Sequence, residues 1–197
     1  QQVSSAASDV YKRQAHNSAE PGLLFWDNVL KYTPAQAYAD VGFHKVSTNP
    51  CSEITLSAYD SCRLLLLNLT SFVENKFTEK ANFNHELFSS YAMKAQRLMD
   101  DLIDLELECV DQIINKIESD PEPEEVKYAE LKLWNKIKEA ATNGRRTGLG
   151  VTGLGDTLAM LGQVYGSEES IATTEKIYQN LCFSAYEPVS YTHLTLP

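Results

Sequence analysis

Hydrophobic and polar positions organise most of this chain into helices. Leu87, Tyr91, Leu98, Leu102, Leu105, Cys109, Ile113 and Ile117 recur at steps of three and four residues, or at their sum. That spacing predicts one long amphipathic helix. Asn82 or Asn84 can cap its start, and the prolines of Ser119-Asp120-Pro121-Glu122-Pro123 end it. A second helix follows, with Val126, Ala129, Leu133, Ile137 and Ala140 on one face and Asn143-Gly144 as its stop. The two are expected to form a hairpin. Ser167 to Tyr186 reads as a last amphipathic helix, with Ile171, Ile177, Tyr178 and Leu181 apolar. Asp156 can cap a short helix over Thr157 to Leu161, ended by Gly162. Arg63 to Leu69 is an apolar run of strand length, read as a buried strand although its leucines fit a helix nearly as well. Leu23 to Val29 is apolar and aromatic, follows a Pro-Gly turn and is broken by Thr33-Pro34.

Composition narrows the function classes. With 197 residues the chain has the length of one domain. Its 17 Lys and Arg against 27 Asp and Glu, a net charge of −10, argue against a long nucleic-acid groove, which needs clustered cations. A single nucleotide needs only a few N–H groups or one arginine, so that class stays open. Cys51, Cys62, Cys109 and Cys182 show neither a C-x-x-C pair nor zinc spacing, which points to cytosolic thiols. The longest apolar run, starting at Leu64, is far shorter than the roughly 20 residues of a membrane span.

The chemistry-bearing stretch is Asn49-Pro50-Cys51-Ser52-Glu53, followed by Tyr59-Asp60-Ser61-Cys62. Pro50 disfavours a helix. If the segment is extended, Asn49, Cys51 and Glu53 share one face at steps of about 6–7 Å, within reach of one small substrate. The plain alternative is a surface turn with a buried thiol. Gly148-Leu149-Gly150-Val151-Thr152-Gly153 matches G-x-G-x-x-G, but a helix and Arg145-Arg146 precede it, so close backbone packing within a strand is preferred to a dinucleotide site. The acids Asp100, Asp101, Asp104, Glu106, Glu108 and Asp111 lack the Glu-x-x-His of di-iron helices and read mostly as a solvated face. Asp100 and Asp101 are the two expected to be partly buried and paired. His44 reads as a surface or hydrogen-bonded histidine, and Cys109 and Cys182 as packing residues.

Asn49-Pro50-Cys51-Ser52-Glu53 with Tyr59-Asp60-Ser61-Cys62 resembles the finger loop of the ribonucleotide reductase catalytic (large) subunit. Three further stretches resemble that family in the same order: Glu20-Pro21-Gly22-Leu23-Leu24-Phe25-Trp26-Asp27, Arg97-Leu98-Met99-Asp100-Asp101, and Gly144-Arg145-Arg146-Thr147-Gly148-Leu149-Gly150. The resemblance runs from about His16 to Tyr186. It implies an α/β fold, a fragment of the family's ten-stranded α/β barrel over residues 15–187, with the long helical hairpin as an insertion. Residues 1–14 and 188–197 fit nothing in the family and read as foreign, adapter-like ends.

The resemblance also implies the roles. Cys51 would be the transient thiyl radical, Glu53 the general base on the 3′-hydroxyl, and Asn49 the amide holding the ribose hydroxyls, with Ser52 beside them against the substrate. Cys62 would be one half of the redox-active disulfide, its partner lying upstream of this stretch. The reaction is reduction of a ribonucleoside di- or triphosphate to the 2′-deoxyribonucleotide, for DNA precursor synthesis. A thioredoxin-like or glutaredoxin-like protein would be the reductant. Proline before Cys51 and the short spacing to Cys62 lean towards the adenosylcobalamin-dependent class II type. The class I type, working with a metal-containing radical-generating subunit, is the alternative. The resemblance further implies a cytoplasmic enzyme, no metal site within this stretch, no membrane or nucleic-acid partner, and room for a homodimer at full length. The stretch by itself would be inactive. Two rivals from other classes are a non-catalytic helical scaffold and a nicotinamide-dependent oxidoreductase using the Gly148 run.

Overall fold

The computed structural model describes residues 5–20, 22–61 and 63–193. The chain divides into two compact units, Gln1–Ala58 and Tyr59–Pro197.

In the first unit, helix α1 spans Ser5–Ser18 and α2 spans Trp26–Tyr32. Thr33, before Pro34, is extended and ends α2, as a residue preceding proline should. A 3-10 helix, Pro34–Val41, is closed by Gly42 in the left-handed region. Strands β1 (Lys45–Thr48) and β2 (Thr55–Ser57) then pair antiparallel, with an irregularity between Lys45 and Ser47. The two threonine hydroxyls of Thr33 and Thr55 lie 3.1 Å apart and tie the end of α2 to the hairpin.

The second unit opens with β3 (Leu64–Asn68), a 3-10 turn (Leu69–Phe72), β4 (Val73–Glu74) and β5 (Asn82–Phe83). Helix α3 (His85–Ser119), α4 (Glu124–Gly144), β6 (Gly148–Thr152), α5 (Leu154–Met160) and α6 (Glu168–His193) complete it. The described strands form three two-stranded sheets, and no closed barrel is present among the described residues. β3 and β6 pair in parallel from Leu64 against Gly148 to Asn68 against Thr152. The glycine-rich run is therefore a strand, as preferred from its sequence. Gly153, with φ +76°, caps α5, and a Cβ there would meet the Asn68 Oδ1 at 2.9 Å, so only glycine fits. This moves the start of α5 three residues ahead of the expected Thr157.

Helix α3 is 35 residues, about 52 Å at 1.5 Å per residue. Asn84 caps it, its side chain accepting the Leu87 N–H at 2.9 Å. Both ends thus lie where the cap and the prolines put them. The buried face does not. Phe88, Ala92, Ala95, Gln96, Met99, Ile103, Val110 and Ile117 face the core, whereas Leu87, Tyr91, Leu98, Leu102 and Leu105 are exposed. The two stripes lie side by side, and the fold uses the one whose small Ala92 and Ala95 let another helix approach. Helix α6 meets it with Ser170, Ile177, Leu181 and Ser184 at the same near-heptad spacing. Cys109 and Cys182, read as packing residues, are exposed and free.

The α3–α4 hairpin forms. Its register is fixed by Asp111 with Lys138 and by Lys127 donating to the Glu118 carbonyl. The inner face is offset only in its first half: Ala141 is buried, Lys127, Leu131, Trp134 and Lys138 are half-buried together with the expected Ile137 and Ala140, while Val126, Ala129 and Leu133 stay exposed. Of the acids of α3, Asp104 and Glu108 are exposed, in line with a solvated face, while Asp100, Glu106 and Asp111 are half-buried, and Asp100, Asp104, Glu106 and Asp111 are each paired with a cation. Asp101 is exposed.

The core joins Leu69, Phe72, Val73, Phe83, Phe88 and Ala92 to Ile177 and Leu181. Phe72, Phe83 and Phe88 pack their rings edge-on or tilted, with centroids 5.1–6.2 Å apart. Beside them His85 Nδ1 lies 2.9 Å from Asn180 Nδ2, linking α3 to α6. Partial burial, then the nearby Lys176 charge, lowers the His85 pKa below its usual 6.5. The unfolded imidazole protonates as the pH falls through about 6.5, where the folded one resists. Stability is therefore complete above that value and declines as the pH drops towards the lowered folded value. Urea midpoints between pH 8 and 5 should fall on acidification, and His85→Gln should flatten that part of the slope.

Candidate active site

The first unit presents Asn49, Cys51 and Glu53 on one hairpin loop. β1 stops at Thr48 and the chain turns at once, with the Ser52 N–H donating to the Asn49 carbonyl at 3.0 Å. Asn49 closes the loop twice more: its N–H donates to the Ile54 carbonyl at 3.2 Å, and its Oδ1 accepts the Ile54 N–H at 3.0 Å. The extended row envisaged from the sequence is thus replaced by a tight turn, which the short β1–β2 register demands. Pro50 suits such a turn as well as it suits a strand.

The result is an asymmetric tip. Asn49 is buried at its base, while Cys51, Ser52 and Glu53 are exposed at its end, and the Cys51 thiol is free. The plain alternative of a buried thiol in a surface turn does not hold. Ser52 has φ +66°, a left-handed conformation costing a non-glycine residue about 1–2 kcal/mol. At the hairpin's base Lys45 is buried and donates to the Ser57 Oγ at 2.9 Å. Chemically, the tip offers an accessible thiol, a carboxylate two residues on, and an amide whose Oδ1 is engaged within the loop. The Asn49 Nδ2 group makes no hydrogen bond among the described residues, so its two donors are not used by the loop. His44, just ahead of β1, is exposed, as expected.

In the second unit, Cys62 lies outside the described residues. Its flanks are firmly held. Asp60, almost buried, accepts the Ser61 N–H at 2.9 Å and pairs with Arg146 Nε at 2.7 Å. Arg63, also buried, grips Glu106 through Nε and Nη2 and donates to the Arg146 carbonyl at 3.1 Å. The next residue of that junction, Arg145, reaches Asp100 at 2.8 Å and Asp104 at 2.7 Å. Donating hydrogen bonds to Asp100, then to Asp104, raises its guanidinium pKa further. Arg145 itself has φ +37° as the cap of α4, a strained backbone that these bonds hold in place. Gln96 Nε2 donates to Thr147 Oγ1 at 2.9 Å. Two stretches noted as separate motifs, 97–101 and 144–150, are therefore one polar junction. Sequence reasoning missed Arg63, Asp104, Glu106 and Gln96 as parts of it. Their partners lie 41–83 residues away in the chain, and the only local signal was a charge in an apolar run.

A sequence model of the family described as ribonucleotide reductase, barrel domain, matches residues 9–190. The chain belongs to the ribonucleotide reductase family. Among curated members it is 28% identical over 178 residues to a protein of Mycobacterium tuberculosis (strain CDC 1551 / Oshkosh) named vitamin B12-dependent ribonucleoside-diphosphate reductase. That match covers 90% of this chain and 21% of the relative. A protein of the same name from Thermoplasma acidophilum is 30% identical over 164 residues, covering 83% of this chain and 17% of the relative. The chain thus spans about a fifth of the length of these ribonucleotide reductases. Both polar constellations, the hairpin tip and the junction around Asp60 and Arg63, fall inside the matched region. No helix among the described residues is long and apolar enough to cross a membrane.

Proposed function

We propose that this chain is the part of a ribonucleotide reductase catalytic subunit that carries the radical thiol and one cysteine of the redox dithiol. The observation that carries this reading is the hairpin tip, where an exposed free thiol stands with a carboxylate and a donor-bearing amide in a family whose chemistry needs that trio. The substrate is a ribonucleoside diphosphate, in keeping with the relatives' names.

In this reading Cys51, as a thiyl radical, takes the hydrogen from C3′ of the ribose, so that an S–H bond forms as the C3′–H bond breaks. Glu53 accepts the 3′-hydroxyl proton, which requires a carboxylate within hydrogen-bond reach. The Asn49 Nδ2 donors orient the ribose oxygens, while its Oδ1 keeps the loop closed. The 2′-hydroxyl leaves as water. The dithiol containing Cys62 supplies two electrons and two protons and becomes a disulfide, and Cys51 returns its hydrogen to C3′. One ribonucleotide and two thiols thus yield one deoxyribonucleotide, one disulfide and one water. A thioredoxin-like or glutaredoxin-like dithiol then restores the pair by exchange.

Bound adenosylcobalamin would supply the radical equivalent that the Cys51 thiol accepts. An exposed, free thiol at a loop tip fits that role, and the relatives' names favour this source.

The same reading places β3 and β6 in the family's ten-stranded barrel. A parallel pair is ordinarily covered on both faces, yet Leu64 and Leu66 of β3 stand about half exposed. The α3–α4 hairpin is then an insertion outside that barrel. The family match spans residues 9–190, so the expected foreign ends, 1–14 and 188–197, overlap it at 9–14 and 188–190. This stretch alone is inactive.

The test is ribonucleoside diphosphate reduction by the full-length gene product, with and without adenosylcobalamin. Turnover that requires the cobalamin supports the reading. Turnover only with a metal-containing partner subunit rejects the cofactor, and no turnover under either condition rejects the function.

A further inference from the structure

Of the seven residues in β1 and β2, only Lys45 and Ser57 are buried. Val46 is 59% exposed and Leu56 half-buried, so this hairpin lacks the buried apolar face that ordinarily fixes strand register. A polar pair stands in its place. The Lys45 Nζ donates to the Ser57 Oγ at 2.9 Å, directly across the ladder. Lysine is seldom this buried without such a partner. The other end of the hairpin is closed by a second side chain, Asn49, whose Oδ1 accepts the Ile54 N–H. Between these two closures β1 supplies Val46, Ser47 and Thr48, whereas β2 supplies only Thr55 and Leu56. One residue too many is therefore held in the ladder, and it shows as the irregularity between Lys45 and Ser47. A bulge of this kind bends its strand, sharpens the local twist and re-aims the side chains beyond it.

We propose that the Lys45–Ser57 pair is a latch that keeps this bulge in place and thereby aims the tip carrying Cys51 and Glu53. The inference rests on those two residues acting on the substrate, as in the reductase reading. Without the Lys45 nitrogen the mismatch relaxes through the base of the hairpin, since Asn49 still closes the tip. The regular ladder then places Val46 opposite Ser57 and Lys45 opposite Ala58, and the twist supplied by the bulge is lost. A buried polar pair suits this task, because any register that parts the two breaks a hydrogen bond inside a buried site. Fixing register, rather than adding stability, is the best-attested use of such groups. Lys45 and Ser57 are positioning residues. The thiol and carboxylate at the tip carry the chemistry.

The experiment uses the full-length enzyme with Lys45→Met, Ser57→Ala, Ser57→Thr and a deletion of Val46. The first two each remove half of the pair, and Ser57→Thr keeps the hydroxyl. The deletion keeps the pair but removes the extra residue. The readouts are kcat, KM and the melting temperature. Lys45→Met, Ser57→Ala and the deletion should each lower kcat about a hundredfold, as for a reacting group displaced by about 1 Å. KM should stay within about threefold of wild type, the sign of an interaction felt only in the transition state. Ser57→Thr should keep most of the turnover. Variants that lower the melting temperature while the folded enzyme keeps its kcat would overturn the latch. So would full activity in the Val46 deletion, because the bulge would then aim nothing. Cys51→Ala distinguishes the two levels of the argument. If it leaves turnover intact, the reading of the tip itself fails. If it abolishes turnover while Lys45→Met, Ser57→Ala and the deletion behave as wild type, only the latch fails.

Discussion

Replacing Cys51 with alanine in the full-length enzyme should abolish deoxyribonucleotide formation, to below about one part in ten thousand of wild type. The size of the effect follows from the role. A thiol that carries the radical participates in bond breaking at C3′ and again when hydrogen is returned, and alanine has no weak S–H bond to exchange. Folding should be unaffected, because Cys51 is exposed at the tip of a loop whose closure depends on Asn49, Ser52 and Ile54. Nucleotide affinity should persist for the same reason. The measurement is turnover alongside equilibrium binding of substrate. Unchanged binding with lost turnover is the expected pair of results, and substantial turnover in the alanine variant would remove Cys51 from the chemistry.

Phe88→Ala should be the most damaging single change to the second unit. Its side chain is fully buried, with Phe72 at 5.1 Å and Phe83 at 5.5 Å between ring centroids. Truncation leaves a cavity where α3 meets the β4–β5 region, costing about 3–5 kcal/mol. At this size that corresponds to a fall in melting temperature of roughly 6–20 °C. Leu87→Ala, one residue earlier, removes a side chain that is 42% exposed and should cost below about 1 kcal/mol. The pair of thermal melts checks which face of α3 is buried. Equal losses would contradict the assignment.

That contrast also shows where the sequence was legible. Local chemistry placed the ends of α3 well, since Asn84 offers a cap and Pro121 and Pro123 prohibit continuation. The stripe was harder. Leucines at 87, 98, 102 and 105 satisfy helical spacing as well as Phe88, Ala92, Met99 and Ile103 do, and only the approach of α6 chooses between them. Cys109 was misread for the same reason, sitting on an apolar stripe that the fold leaves outside, whereas Cys182 was read as a core thiol by default and stands exposed beside the buried Leu181. At the hairpin, Asn49, Cys51 and Glu53 stood out by residue type, but their presentation did not, because Pro50 is compatible with both a strand and a turn. The turn follows from the pairing of Thr48 with Thr55, a tertiary fact. The grip of Arg63 on Glu106 joins positions 43 apart, and no local pattern announces it.

The most direct measurement is a single turnover of the pre-reduced full-length enzyme without external reductant, followed by alkylation and mapping of every cysteine. The account predicts one deoxyribonucleotide for each pair of thiols lost, with Cys62 in the new disulfide and Cys51, Cys109 and Cys182 still alkylated. Deoxyribonucleotide formed while Cys62 remains a free thiol, or with Cys51 trapped in the disulfide, would contradict it.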